Sequence, residues 1–200
     1  MNIKKTANLL FNFAIKRLAE IFGIIFFLLG LTLFIALATY SPDDPNFIFP
    51  DNTQIKNLLG FQGSFISDLF FQSVGLVSYL ISFTFLITGI NIFKTKEFFL
   101  IIENIFFSIL YSIFGSLLFT HFYSDIFTLY INGNGGFVGS YLNQTFLNSL
   151  ILLNESVFYY LLILLTLILF LISINFSLKK FGILINKILN LFKKNGNKNY

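Results

Sequence analysis

Four stretches of this chain are each about as long as a bilayer core is thick, and they are nearly free of charge. Residues 21–39, 70–93 and 157–176 contain no charged side chain, and 98–119 contains only Glu103. A hydrocarbon core roughly 30 Å thick is crossed by about 20 mostly apolar helical residues. Only a helix or a closed barrel satisfies the backbone there. Composition agrees, with 56% hydrophobic and 11% charged residues and a mean hydropathy of +0.81, against about 25% charged in soluble domains. A disordered chain and an ordinary water-soluble enzyme are excluded, and with no Cys so is a disulfide scaffold. The 30 Phe read as codon bias and not as a ligand cage.

A fifth segment, 137–153, is shorter and carries Asn143, Gln144, Thr145, Asn148 and Ser149. It reads as an interfacial or re-entrant helix before the fourth span. Charge supports that count. Of 13 Lys and Arg, four lie in residues 1–20, one in 40–69, two in 94–97, none in 120–156 and six in 177–200. Four spans with both ends cytoplasmic place 12 of the 13 on one side, as the positive-inside rule prefers. Tyr40, Tyr123, Tyr159 and Tyr160 then fall near the outer span ends. The expectation is an all-α integral membrane protein, N-in and C-in. It has a basic cytoplasmic segment at 1–20, a four-span domain at 21–177 and a basic cytoplasmic segment at 178–200. The Ala36-Leu37-Ala38 end of the first apolar run resembles a signal peptidase site, but that run is longer than a signal peptide's 7–15 residues. A retained anchor is the reading.

Small and polar residues at three- or four-residue spacing mark helix contact faces in lipid. The third span has Asn104, Ser108, Ser112 and Ser116, with Gly115 beside them. The second has Gly75, Ser78, Ser82 and Gly89, the first Gly23 and Gly30, and the fourth only Thr166 and Ser173. Spans one to three are therefore expected to form the packed core, with the fourth more lipid-exposed. Random tolerance of Ser and Gly at lipid-facing positions is the competing reading. Glu103, six residues beyond Glu97, is expected to reach toward headgroups or pair with Lys94 or Lys96. A proton or ion path would need charged partners that the other spans lack.

Between the spans the residues suit turns more than chemistry. Tyr40-Ser41-Pro42-Asp43-Asp44-Pro45-Asn46 stops the first helix, because each proline drives its predecessor from helical geometry. Asp43 and Asp44 lack the further ligands a metal needs. Gly133, Gly135, Gly136 and Gly139 lack the Gly-Lys-Ser/Thr ending of a phosphate loop. His121 is the single histidine. No cofactor, metal or catalytic set is expected. Near the end, Phe181, Leu184, Ile185, Ile188, Leu189, Leu191 and Phe192 share one helical face. Lys179, Lys180, Lys187, Lys193 and Lys194 take the other. That pattern reads as a basic amphipathic helix on an anionic inner leaflet, or as the first helix of a following soluble region.

The run from Ala36 through Asn46 resembles the junction after the first span of FtsK/SpoIIIE-type DNA translocases. Asn57-x-x-Gly60-x-x-Gly63-Ser64-x-x-x-Asp68-Leu69 is similar to the loop leading into that family's second span. Gly135-Gly136-x-x-Gly139-Ser140 is similar to its segment before the last span. The likeness covers about residues 20–177. It implies an inner-membrane anchor at the division septum, in cell division and chromosome segregation, in contact with septal division proteins. In the family the anchor positions a cytoplasmic RecA-like ATPase that pumps DNA. No Walker A pattern stands in these 200 residues, so neither ATP hydrolysis nor direct nucleic-acid binding is expected of them. The family's ring-shaped motors make a homo-oligomer a further expectation. A small polytopic transport or channel subunit, motivated by Glu103 and the polar stripe, is the alternative.

Overall fold

The computed structural model describes residues 3–45, 54–124, 131–177 and 182, and among them every regular element is helical. In chain order these are α1 (Ile3–Ala38), α2 (Gly60–Val74), a 3-10 turn (Gly75–Val77), α3 (Ser78–Thr95), α4 (Phe99–Phe122), α5 (Gly136–Asn143), α6 (Phe146–Leu153) and α7 (Glu155–Ser173). Four stretches, Asn8–Ala38, Gly60–Thr95, Phe99–Phe122 and Glu155–Ser173, are long and apolar enough to cross a membrane. The chain is a multi-pass α-helical membrane protein.

Burial in this bundle is inverted relative to a soluble core. Ser67, Ser78, Ser82, Thr84, Thr88, Asn104 and Ser116 are buried, whereas Leu28, Phe106, Ile109, Leu164 and Leu167 are exposed. Lipid tails solvate Leu and Phe as well as a protein interior does, so packing and hydrogen bonds hold the helices together instead of apolar burial. Gly23, Gly30 and Gly89 show how close two backbones come. A Cβ on Gly23 would lie 2.8 Å from the Phe93 nitrogen, and one on Gly89 would lie 2.6 Å from the Gly23 carbonyl oxygen. These contacts run α1 antiparallel to α3.

Several details go beyond the sequence expectations. The first helix begins at Ile3, so most of the basic segment 1–20 is its opening turns. The uniform span expected at 70–93 is broken at Gly75 (φ 63°, ψ −142°), a conformation essentially restricted to glycine. Segment 137–153 forms two short helices, because Thr145 stops α5 and caps α6 by accepting from the Leu147 N–H at 3.3 Å. The fourth span is the most exposed of the four, as expected, with 17% of its apolar window buried against 28–39% for the others, and it packs along α4. Gly115 of α4 makes the room, since a Cβ there would stand 2.8 Å from Val77 and 3.2 Å from Thr166. The small residue that admits the fourth span thus belongs to the third. Two helix pairs, α1 with α3 and α4 with α7, make up the bundle.

At the end of the bundle that carries the basic residues, Glu20 pairs with Arg17 at 2.6 Å and with Lys96 at 2.7 Å. Lys96 itself is left-handed (φ 65°) and caps α3. Lys96 is engaged by Glu20, and of the two outcomes expected for Glu103, headgroup contact or a pair with Lys94 or Lys96, the pair is not seen among the described residues. Glu103 is exposed and has no ion pair among the described residues. Residues 178–181 and 183–200, with Lys179, Lys180, Lys187, Lys193 and Lys194, lie outside the described residues.

Candidate functional site

The loop end of the bundle gathers residues that are far apart in sequence. Two prolines and two aspartates end α1 in a turn, and Asp44 folds back into it, 2% exposed. One carboxylate oxygen accepts the Lys56 N–H and the other the Asn57 N–H, both at 2.8 Å. Asn57 is buried in turn. Its side-chain amide donates to the Ala36 carbonyl at 2.9 Å, and its side-chain oxygen accepts from the Leu59 N–H at 3.1 Å. The Ser64 hydroxyl donates to the Pro45 carbonyl at 2.9 Å, and the Tyr40 hydroxyl donates to Asp68 at 3.1 Å. Gly63 is required beside Asn57, because a Cβ there would land on the Asn57 side chain. Backbone that would otherwise be orphaned near lipid is satisfied by this clasp.

Asp43 points the other way and pairs with Lys56 at 2.8 Å on the surface. The Asp43 carboxylate raises the Lys56 ammonium above its ordinary pKa, chiefly by its hydrogen bond. The adjacent aspartates therefore have different tasks: Asp44 organises backbone, whereas Asp43 lies at the surface and pairs with Lys56.

A second assembly seats the glycine-rich loop on the break in the second apolar helix. The Leu76 N–H, freed by that break, donates to the Asn134 carbonyl at 2.9 Å. The Asn134 side-chain amide donates to the Tyr123 carbonyl. Asn132 donates from its backbone to the Gln72 side chain and from its side chain to the Gln72 carbonyl, each at 3.2 Å. The Ser116 hydroxyl donates to the Val74 carbonyl at 3.0 Å. Gly135, which caps α5, and Gly139, one turn on, lie against Ser116 and Thr120 of α4, and the Thr120 hydroxyl takes the space a Cβ on either would need. A Cβ on Gly136 would lie 2.6 Å from the Gly75 nitrogen.

A third assembly joins the two helix pairs inside the membrane. Thr84, Thr88 and Asn91 lie on one stripe of α3, at i, i+4 and i+7. The Thr84 hydroxyl lies 3.0 Å from the Tyr111 hydroxyl and 3.1 Å from that of Ser173. Asn104 donates to Thr88 at 2.7 Å and accepts from Asn175 at 2.8 Å. Asn91 donates to the Ile174 carbonyl at 3.1 Å. Spans two, three and four are thereby tied by a polar seam.

Of the residues singled out in the sequence, Tyr40, Asp44, Pro45, Asn57, Gly63 and Asp68 meet in the clasp, with Ser41 accepting from the Asp44 N–H at 3.2 Å. Pro42 lies in the turn. Gly60 has a positive φ and no neighbour at its missing Cβ, so its role is conformational. Asn104 lies in the seam and Ser116 in the glycine seat. Ser108 bonds within its own helix at 2.7 Å, and Ser112 has no hydrogen-bond partner among the described residues. His121 is 3.0 Å from the Asn143 side chain. Among the described residues no three His, Cys, Asp or Glu come together. Thr84, Thr88, Asn91, Tyr111, Gln72, Asn132 and Asn134 were not foreseen. The i, i+4, i+7 spacing on the second span was the available signal for the first three.

The chain matches, over residues 15–186, the family described as the 4TM region of DNA translocase FtsK/SpoIIIE. It is 35% identical over 69 residues to the DNA translocase FtsK of Rickettsia prowazekii (strain Madrid E), covering 34% of this chain and 9% of that protein. It is 36% identical over 81 residues to the DNA translocase FtsK of Rickettsia bellii (strain RML369-C), covering 40% of this chain and 10% of that protein. The matched stretches thus span about a tenth of the relatives' length. No solved structure matches.

Proposed function

This chain belongs to the family of the four-transmembrane region of FtsK/SpoIIIE DNA translocases, and on that premise we propose that it is the membrane anchor of an FtsK-like translocase. It sits in the bacterial inner membrane with both ends cytoplasmic, is enriched at the division septum, and touches septal division proteins there. Its work is non-catalytic: DNA pumping belongs to a motor of the kind the longer relatives are named for. The observation that carries the reading is the extent of the family match, which takes in every span together with the clasp and the glycine seat. The orientation is supported by the 12 basic residues gathered on one side of four spans.

A fluorescent fusion imaged in dividing cells tests the reading. Enrichment at mid-cell is the expected result, and an even distribution around the membrane would sink it. The transport reading draws little from the bundle, because exposed Glu103 turns away from the seam that its buried neighbour Asn104 enters.

A further inference from the structure

The helix α2 has its polarity reversed for a segment in water. Ser64, Ser67 and Asp68 are buried against the protein, whereas Phe61, Ile66 and Leu69 face outward, with Gln62 the exposed polar side chain among them. Its depth is fixed by two hydrogen bonds. The Tyr79 hydroxyl, at the start of α3, donates to the Leu37 carbonyl at 3.1 Å. Asn57, just ahead of α2, donates to the neighbouring Ala36 carbonyl. Gly60 and Tyr79 would be separated by roughly 28 Å along one straight helix. Both regions nevertheless reach the same turn of α1, so α2 bends back at Gly75 and begins beside the last turns of the first span.

Between α2 and α1 runs a groove of about 490 Å³, with Leu29, Thr32 and Ala36 among its floor residues and Leu59, Ile66 and Phe70 along its other wall. The Thr32 hydroxyl is taken up by the Leu28 and Leu29 carbonyls of its own helix, at 3.0 and 3.1 Å. From Ala36 to Leu29 the floor descends roughly 10 Å by helical rise, about two-thirds of one leaflet of a 30 Å core. The groove is therefore open along hydrocarbon depth and continuous with the lipid-facing surface of α1.

We propose that α2 is a re-entrant half-helix immersed in the leaflet at the loop end, and that a phospholipid acyl chain occupies the groove between it and α1. An aqueous loop would expose Ser64, Ser67 and Asp68 and bury the Leu and Phe residues, the reverse of what is found. The chain contains no Trp, so a single introduced indole reports without background. Phe61→Trp, Ile66→Trp and, on the groove floor, Thr32→Trp are placed separately in the whole chain. Each is reconstituted in phosphatidylcholine vesicles with and without acyl-brominated lipid, and Leu164→Trp on exposed α7 serves as the lipid-facing reference. The proposal expects blue-shifted emission at all three positions and bromolipid quenching by the same factor as at position 164. Red-shifted emission quenched by acrylamide at positions 61 and 66 would place α2 in water and overturn it. Blue-shifted emission untouched by either quencher would mean that protein, such as a second copy, covers the face, and would also overturn it. If one substitution prevents folding, the others still decide the outcome.

Discussion

The side-chain amide of Asn104 donates to the Thr88 hydroxyl at 2.7 Å, joining the third span to the second between two buried side chains. Asn175 donates to the same Asn104 side chain, so one residue links both helix pairs. Truncating Asn104 to Ala strands both partners. Hydrogen bonds between spans average about 0.6 kcal/mol and reach about 1.7 in measured cases. A double-mutant cycle of Thr88→Val with Asn104→Ala should give a coupling in that range. Unfolding equilibria in bicelles supply the four free energies, and strict additivity would mean the bond contributes nothing.

At Gly75 the expected loss is larger. Its φ and ψ fall where residues with a Cβ pay about 1–3 kcal/mol, and a Cβ would also strike the Asn134 carbonyl and the Gly135 backbone. Gly75→Ala should therefore unseat the glycine loop as well as destabilise the bundle. Limited proteolysis should show faster cleavage in the chain between α4 and α5. Gly60→Ala, with open space around its missing Cβ, pays conformational strain alone and should leave that cleavage rate unchanged.

The adjacent aspartates of the turn should separate cleanly. Asp44→Ala leaves the buried Asn57 N–H without its acceptor, at a cost of about 1–3 kcal/mol, and frees the part-buried Lys56 N–H as well, whereas Asp43→Ala removes a surface ion pair and should lower Tm in detergent by much less. The pH dependence has a definite sign. Asp43 raises the Lys56 pKa above 10.5, so any stability from the pair is fully present below the ordinary lysine range and is lost as pH rises past the raised value. Between pH 6 and 9, wild type and Lys56→Gln should show the same slope of Tm with pH. A divergence within that window would contradict the assignment.

How far the fold could be read from residues alone depends on how local each signal is. Apolar runs such as 157–176 are local, and they predict helices directly. Gly75 is different: within an apolar run it looks like Gly23 or Gly89, and only its contact with Asn134 distinguishes a break from a close helix crossing. Asp44 and Asn57 stood out as motif residues, but their partners, two backbone N–H groups and the Ala36 carbonyl, have no side-chain identity to read. The seat of the fourth span on the third was hidden for a related reason. A large apolar helix needs no small residues of its own when Gly115 on its neighbour supplies the clearance.

The crossing of α1 and α3 offers the sharpest packing test. Gly30 faces Leu86 and the Ser82 carbonyl, and Gly89 faces the Phe27 and Gly23 backbones. A side chain placed at either glycine meets main chain, which cannot rotate away as a flexible side chain would. Overpacking typically costs about 1–3 kcal/mol, and rigid obstacles put Gly89→Leu toward the upper end. Gly182→Leu is the reference, since nothing lies within 4 Å of its missing Cβ. In bicelles, Gly89→Leu should lower unfolding free energy by that amount while Gly182→Leu leaves it unchanged. Equal effects would mean that the two backbones do not approach as closely as these contacts require.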